Sequence, residues 1–416
     1  MGPGAGRMDS PAHFGVMRSF TARRSFDGAP AHSQRCDRMA PGVLSNVMLE
    51  EAITHGIISA GEYRIGERQL QPASLDLTLG KVAHRLRCSF LPDKEPVEQK
   101  LKSLSEGQID LRKEGPGFLE RNVPYLVELR EQLALPPGTR GKANPKSSTG
   151  RIDVFTRVIT DQSYQFDEVA NGYHGKLYLE IVPISFPIRV CEGLSLNQLR
   201  LIAGEAPRLT DTEIHEEHAK APLLFVDGRA VLAKDLAVRN GLFLSLDLRG
   251  DSDGFVGYKA RRNTRLLDLT SVEAVDPADF WEPVIRERGD RIVLEPEEFY
   301  LLMSRENVRI PPGLASEMVA YDPTSGELRT HYAGFFDPGF GHAGKRPTGS
   351  RAALEVRAHD VAFLIENGQG VCKLSFERML CEPTKLYGSS PSSNYQNQTS
   401  TLSKYFVPTS GQPRLV

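Results

Sequence analysis

The chain of 416 residues carries 51 Lys+Arg against 53 Asp+Glu, a net charge of −2, with 40% hydrophobic and 25% charged residues. At roughly 150 residues per domain this length predicts two domains or three, and the even charge balance excludes a generally basic nucleic-acid binder. No apolar run approaches the roughly 18–20 residues of a membrane span, and Cys36, Cys88, Cys191, Cys372 and Cys381 lack C-x-x-C spacing. That argues against a disulfide scaffold and a structural zinc, and for a cytoplasmic, reducing compartment in which the cysteines serve as buried small hydrophobes.

Residues 1–41 are rich in Gly, Pro, Ser, Ala and Arg without apolar periodicity, which predicts a disordered N-terminal extension. They lack the roughly 7–15-residue apolar core of a secretory signal, and Arg/Ser-rich Met17–Phe26 leaves an organelle transit peptide as the competing reading. From Val43, Ser45-Asn46 followed by Met48, Leu49, Ala52 and Ile53 predicts a capped amphipathic helix ending near Gly56. Beyond it, short apolar or alternating runs are punctuated by Pro-Gly, Asp-Gly and Pro-Pro-Gly turns, the pattern of a mainly β barrel or sandwich. Polar Asp211–Lys220 reads as an interdomain helix or linker, Ala230–Asn240 as another short helix, and Arg249–Gly254 as a hairpin turn.

The chain contains an internal repeat. Leu126–Gly138 (LVELREQLALPPG) matches Leu301–Gly313 (LLMSRENVRIPPG) at an offset of 175 residues, which also pairs Glu180 with Glu355, Gly193 with Gly368 and Leu199 with Leu374. Upstream, Ser74-Leu75-Asp76-Leu77 echoes Ser245-Leu246-Asp247-Leu248 at an offset of 171. The reading is two copies of one β-rich domain: residues 42–205, a linker over 206–222, residues 223–384, and a C-terminal tail over 385–416.

The copies differ where chemistry would reside. The first holds Lys146-Ser147-Ser148-Thr149-Gly150-Arg151, where the second has Tyr321-Asp322-Pro323-Thr324-Ser325-Gly326. Hydroxyls, a glycine and flanking cations suit a phosphate-bearing ligand, although an ordinary polar turn has the same composition. The second copy holds Ala333-Gly334-Phe335-Phe336-Asp337-Pro338-Gly339-Phe340, without counterpart in the first. Asp337 reads as a turn residue or as an acceptor for a sugar hydroxyl. Glu180 and Glu355 each sit in an alternating strand, facing either solvent or a pocket that would raise the carboxyl pKa.

Leu70-Gln71-Pro72-Ala73-Ser74-Leu75-Asp76-Leu77-Thr78-Leu79-Gly80 resembles the QPxSxDLxLG segment of bacterial dCTP deaminases, which have the trimeric dUTPase-like fold. The Pro-Pro-Gly turn, the SSxGR loop, the AGxxDPGF segment, the Glu-bearing strand and a tail with Tyr387, Tyr395, Gln398 and Ser400 follow in that family's order. The resemblance covers most of residues 43–404 and is nearest the long, tandem-repeat form. Two tandem dUTPase-like β-barrel or sandwich (β-clip) domains with a few short helices are therefore expected.

The resemblance implies hydrolysis of dCTP to dUTP and ammonia. Ser147 and Arg151 would position water and base, with Lys146, Ser148, Thr149 and Gly150 near the phosphates. Asp337 would hold the 3′-hydroxyl and Ala333 would line the substrate, while Tyr387 and Gln398 would close over a triphosphate carrying Mg²⁺. Because family sites form between neighbouring copies, one composite site is expected here, with Glu355 as proton shuttle and Glu180 as the alternative. Zinc deaminases carry H-x-E…P-C-x-x-C, and this chain has no P-C-x-x-C, so a glutamate is expected to serve without zinc. The resemblance also implies a homo-oligomer, dTTP as an inhibitor, and neither membrane nor nucleic acid as partner. A dUTP diphosphatase, a bifunctional enzyme and a non-catalytic deoxynucleotide sensor are the competing readings.

Overall fold

The computed structural model describes residues 41–112, 114–115, 117–205, 208–320, 328–330, 334–342, 347–358, 360–389, 395 and 400–408, with backbone alone at 320 and 328–330. The N-terminal extension, His331, His359, Ala333 and Gln398 lie outside the described residues.

Each repeat is a pair of antiparallel sheets. In the first, Asn197–Ala203 pairs with Thr139–Pro145 and Leu75–Leu77, and a second sheet orders Leu79–Leu86, Tyr125–Ala134, His174–Pro183 and Val154–Ile159. In the second, Gly370–Arg378 lies between Leu242–Ser245 and Leu314–Ala320, while Phe299–Val308 pairs with Phe255–Ala260 and Ser350–Ala358. The duplication is visible in hydrogen bonds. Glu131 accepts from Thr78 N (2.8 Å) and Thr78 Oγ1 (2.6 Å), as Glu306 accepts from Ser245 N (2.9 Å) and Ser245 Oγ (2.6 Å). Gly193 and Gly368 share a φ of 80° and 81°.

That clamp corrects one sequence alignment. Leu75 faces Leu199 and Leu242 faces Leu374, so Ser245 is the counterpart of Thr78 at an offset of 167, not of Ser74. A four-residue slip preserves strand alternation, so the Ser-Leu-Asp-Leu echo looked in register without sharing a place in the sheet.

The helix at Asn46–Thr54 forms and stops before Gly56 at φ +70°, but the Ser45 side chain does not cap it, its hydroxyl lying 3.2 Å from Cys381 Sγ instead. Asp211–Lys220 is a helix whose Thr210 cap and Glu213 bond reciprocally. Ala230–Asn240 forms only a 3₁₀ turn at Ala233–Asp235, no residue of which is buried, while the flanking Val231, Leu236 and Val238 pack against the second repeat's core. The helix Val97–Leu104 was not legible. Arg249–Gly254 is a tight turn, closed by Gly254 N donating to Asp251 O at 3.0 Å, but it joins strands of different sheets, Leu242–Ser245 and Phe255–Ala260, and so is not the expected hairpin. Cys88 is exposed and Cys372 buried, with Cys191 and Cys381 between, so among the described cysteines only Cys372 is a fully buried hydrophobe.

One buried cluster spans both repeats, while the second repeat keeps a separate core around Leu244, Leu302 and Leu374. Phe186 of the first packs edge-on against Phe280 and Trp281 of the second, each at 5.2 Å, and Phe406 of the tail joins them. Leu402, Tyr405 and Phe406 belong to the same buried cluster as Leu75 and Leu179. At about 1.5–3 kcal/mol for each buried large apolar side chain, these contacts hold the two repeats together at the seam.

Candidate active site

The strand Thr139–Pro145 ends in a single helical turn, Ser147–Gly150, after extended Lys146. Thr149 N and Gly150 N both donate to Lys146 O, at 2.8 and 3.1 Å. Thr149 is fully buried, with its hydroxyl donating to Leu196 O at 2.8 Å. Lys146, Ser147, Ser148, Gly150 and Arg151 consequently face one cleft, beside Gln71, Asp76 and Gln198. Lys146 is ion-paired with Asp76.

The opposite wall comes from the second repeat. Phe335 and Phe336 pair with Glu317 and Ser316, and the chain then turns through Asp337-Pro338-Gly339. Gly339 has φ +94°, and a Cβ there would sit 2.7 Å from Leu386 Cβ and 2.8 Å from Tyr387 N. Only glycine permits that approach, which lets Tyr387 N donate to Pro338 O at 2.9 Å and docks the tail. Asp337 is 6% exposed, accepting from Ser74 Oγ at 3.4 Å and Arg200 Nη2 at 3.3 Å. Glu355, 7% exposed, lines the same cleft from the strand Ser350–Ala358.

The tail supplies the third side. Arg151 stacks on the Tyr395 ring at 3.7 Å and donates to Thr401 O at 3.2 Å. Ser403 Oγ donates to Ser148 O at 2.8 Å, and Tyr395 N to the Tyr387 hydroxyl at 3.2 Å. The Ser-rich turn of the first repeat is thereby tied to the tail that follows the second.

Burial holds the Glu355 carboxyl well above the usual carboxylate range; the Arg151 cation opposes the rise and the Asp153 anion adds to it. Burial likewise raises Asp337, against the pull of Arg200. Lys404 falls to about 8, first through burial and then through repulsion by Lys146. A buried carboxyl of raised pKa, in one cleft with an arginine and serine hydroxyls, suits proton transfer.

Of the residues expected from sequence, Lys146, Ser147, Ser148, Gly150, Arg151, Asp337, Tyr387 and Glu355 thus converge. Thr149 does not, because its hydroxyl is committed to Leu196. Glu180 is also absent from the lining: it is 0% exposed, accepts from Arg157 Nε at 2.9 Å, and that guanidinium lies 3.7 Å over Phe166. Both glutamates are buried, against the usual solvent-facing strand carboxylate. Sequence reasoning missed Gln71, Asp76, Gln198, Arg200 and Tyr395. Gln71 and Asp76 lie inside the QPxSxDLxLG segment that carried the resemblance, and Tyr395 beside Gln398 in the tail. Among the described residues, no group of three His, Cys, Asp or Glu side chains is gathered as metal ligands would be. No helix among them is long and apolar enough to cross a membrane.

Paired β-sheet domains sharing one cleft at their seam define a duplicated dUTPase-like fold with a composite site. The chain belongs to the 2′-deoxycytidine 5′-triphosphate deaminase family: residues 40–205 match its N-terminal domain and residues 210–406 its C-terminal domain. The crystal structure of the 2′-deoxycytidine 5′-triphosphate deaminase from Agrobacterium tumefaciens is 42% identical, with a TM-score of 0.76 over 82% of this chain and 99% of that one. The dCTP deaminase, dUMP-forming, of Methanothermobacter thermautotrophicus is 25% identical over 162 residues, 36% of this chain and 76% of that protein. The dCTP deaminase of Ignicoccus hospitalis is 24% identical over 174 residues, 41% and 89%.

Proposed function

We propose that this enzyme hydrolyses dCTP to dUTP and ammonia in the seam cleft, supplying dUTP for dTMP synthesis. The observation that carries the reading is Glu355 of the second repeat, buried in one cleft with the Ser-rich turn of the first, its carboxyl pKa raised by burial. In the ionised form Glu355 takes a proton from water as the water oxygen bonds to C4, and passes that proton to N3. The C4 hydroxyl proton then travels through Glu355 to the amino group, the C4–N bond breaks, ammonia leaves and the C4 carbonyl forms. A raised pKa lets one carboxyl act as base and then as acid near neutral pH.

Ser147 and Arg151 orient the water and the base, and Asp337 accepts from the 3′-hydroxyl. Lys146 meets the phosphates, and Tyr387 and Gln398 close over the triphosphate. Asp76 and Asp337 already pair with Lys146 and Arg200, so the nucleotide's phosphates rather than these carboxylates would hold Mg²⁺, which would supply neutralisation of the phosphate charge. Glu180, held by Arg157 outside the cleft, has no part in this scheme.

The test is incubation with dCTP and Mg²⁺, without added zinc, followed by chromatography of the products. dUTP and ammonia, lost in Glu355→Gln, support the reading; dCTP returned intact overturns it. A second reading, release of dUMP and pyrophosphate, is favoured by two relatives named dUMP-forming, and the same chromatogram separates it.

A further inference from the structure

Among the described residues, Arg200 is the largest charged side chain that is fully buried, at 0% exposure. It belongs to the first repeat, on the strand Asn197–Ala203, but its partners are all in the second. Nη2 donates to Asp337 Oδ1 at 3.3 Å, Nη1 to Ser316 O at 3.3 Å, and Nη1 lies 3.6 Å from Glu377 Oε2. Its guanidinium stacks 4.0 Å from the centre of the Phe335 ring, two residues before Asp337. The counterpart of Arg200 is Ser375: Arg200 faces Lys142 across its sheet and Ser375 faces Glu317, both pairs related by the offset of 175. Placing a guanidinium wholly in the interior costs several kcal/mol unless it is well paired, and two carboxylates, a carbonyl and a ring together offset that cost. Ser74, the other side chain bonded to Asp337, also comes from the first repeat. The turn carrying Asp337 is therefore completed by the opposite repeat.

We propose that Arg200 is a positioning residue that fixes Asp337, across the seam, as a charged acceptor for the 3′-hydroxyl of the nucleotide. Selectivity for an intact 3′-hydroxyl is then a property of the repeat pair and not of the DPG turn alone. The inference rests on the deaminase reading and on the role given there to Asp337. An aspartate free to rotate, or neutral, loses the charge-assisted bond that a fixed ionised one makes.

The measurement is the ratio of kcat/KM for dCTP to that for 2′,3′-dideoxy-CTP. The wild-type ratio is expected at about 10–100, the value of a hydrogen bond to a charged group. In Arg200→Met combined with Glu377→Gln, which leaves no unpaired carboxylate at Glu377, the ratio is expected to fall to within about threefold of one, with the loss in KM for dCTP. Arg200→Lys retains the charge but not the fork that spans Asp337 and Glu377, and is expected to show an intermediate ratio. If the double variant does not fold, the lysine variant decides alone. A wild-type ratio retained in a folded variant overturns the role of Arg200 and leaves deamination standing. A wild-type enzyme that deaminates both nucleotides equally overturns the role of Asp337 and this proposal with it. Absence of any dCTP turnover overturns the deaminase reading itself.

Discussion

Replacing Glu355 with glutamine preserves the side chain's shape and deletes its charge, so the two effects of that charge can be read separately. A positioned proton shuttle contributes about 10²–10⁴-fold to rate, or about 2.7–5.4 kcal/mol at 1.36 kcal/mol per decade, and deamination should fall by that factor. Stability should move the other way. Burial holds Glu355 above its unfolded pKa, so its favourable contribution is fully present below the unfolded value of about 4.3 and is lost as pH rises through the folded value. Glutamine stays neutral and retains it. Relief of a destabilised active-site group commonly yields about 0.5–2 kcal/mol. At about 2.1 cal/mol/K per residue, residues 40–406 give an unfolding entropy of about 0.8 kcal/mol/K, hence a Tm rise of about 1–3 °C. Calorimetry of both proteins at pH 8 and pH 5, with product chromatography at pH 8, makes the comparison. The Tm gain should be largest at pH 8 and shrink toward pH 5. A variant within threefold of wild-type activity, or one that melts below the wild type at pH 8, refutes the assignment.

Three further outcomes follow from the same geometry. Glu180→Gln should keep turnover within about threefold, since Glu180 is outside the cleft, yet lower stability by about 1–3 kcal/mol in urea titration by leaving Arg157 without its carboxylate. Gly339→Ala forces a Cβ to within 2.7 Å of Leu386 at φ +94°; it should cost more than about 1 kcal/mol and, by undocking Tyr387, raise KM for dCTP in steady-state assays. Asp153 is buried in a pair with Arg357 and sits at φ +56°, a conformation asparagine tolerates. Asp153→Asn should destabilise by about 3–5 kcal/mol, and adding Arg357→Met should restore most of that. Because the Asp153 anion raises Glu355, the acid limb of the rate profile should move to lower pH in Asp153→Asn; a move to higher pH contradicts the coupling.

Sequence disclosed what alternates or punctuates. The repeat was visible because the Pro-Pro-Gly turns and the strands before them need the same residues twice, and the Ser-rich loop and DPG turn stood out because each exists once. Their convergence in one cleft was implied only by the family's habit of building sites between copies; the chain's own residues gave no direct sign of it. Thr149 illustrates the limit: its hydroxyl lies in a hydroxyl run, and only the helical turn of Ser147–Gly150 directs it to Leu196 O. Arg200 illustrates the opposite case, a lone arginine in Asn-Gln-Leu-Arg-Leu-Ile that looks like a solvated strand residue. Its partners lie more than 100 residues away, in a segment whose own signal is aromatic. The choice between Glu180 and Glu355 also turned on partners: Arg157 lies opposite Glu180 in the adjacent strand, a cross-strand pair that becomes visible only once the register is known.

The seam explains why two repeats carry one described site. Lys142 and Glu317 occupy equivalent positions, related by the offset of 175, and they face each other at 2.5 Å with Asn144 donating to Glu317 at 3.2 Å. Had the copies stayed identical, this contact would set lysine against lysine or glutamate against glutamate, an arrangement that buried charges do not tolerate. Joined in one chain, the two positions were free to become complementary, as were Arg200 and Ser375, the latter accepting at its carbonyl from Ser316 Oγ at 2.9 Å. Each such change commits the first repeat to the role of loop donor and the second to the role of DPG donor. The reverse combination would need the DPG turn from the first repeat, where Ala170 stands at the place of Asp337, since Val169 faces Gly141 as Phe336 faces Ser316, and a carboxyl at Glu180 free of Arg157. The fused pair has therefore exchanged symmetry for a seam that pairs its own charges, and a cleft that joins the Ser-rich turn of one repeat to the DPG turn of the other is the consequence.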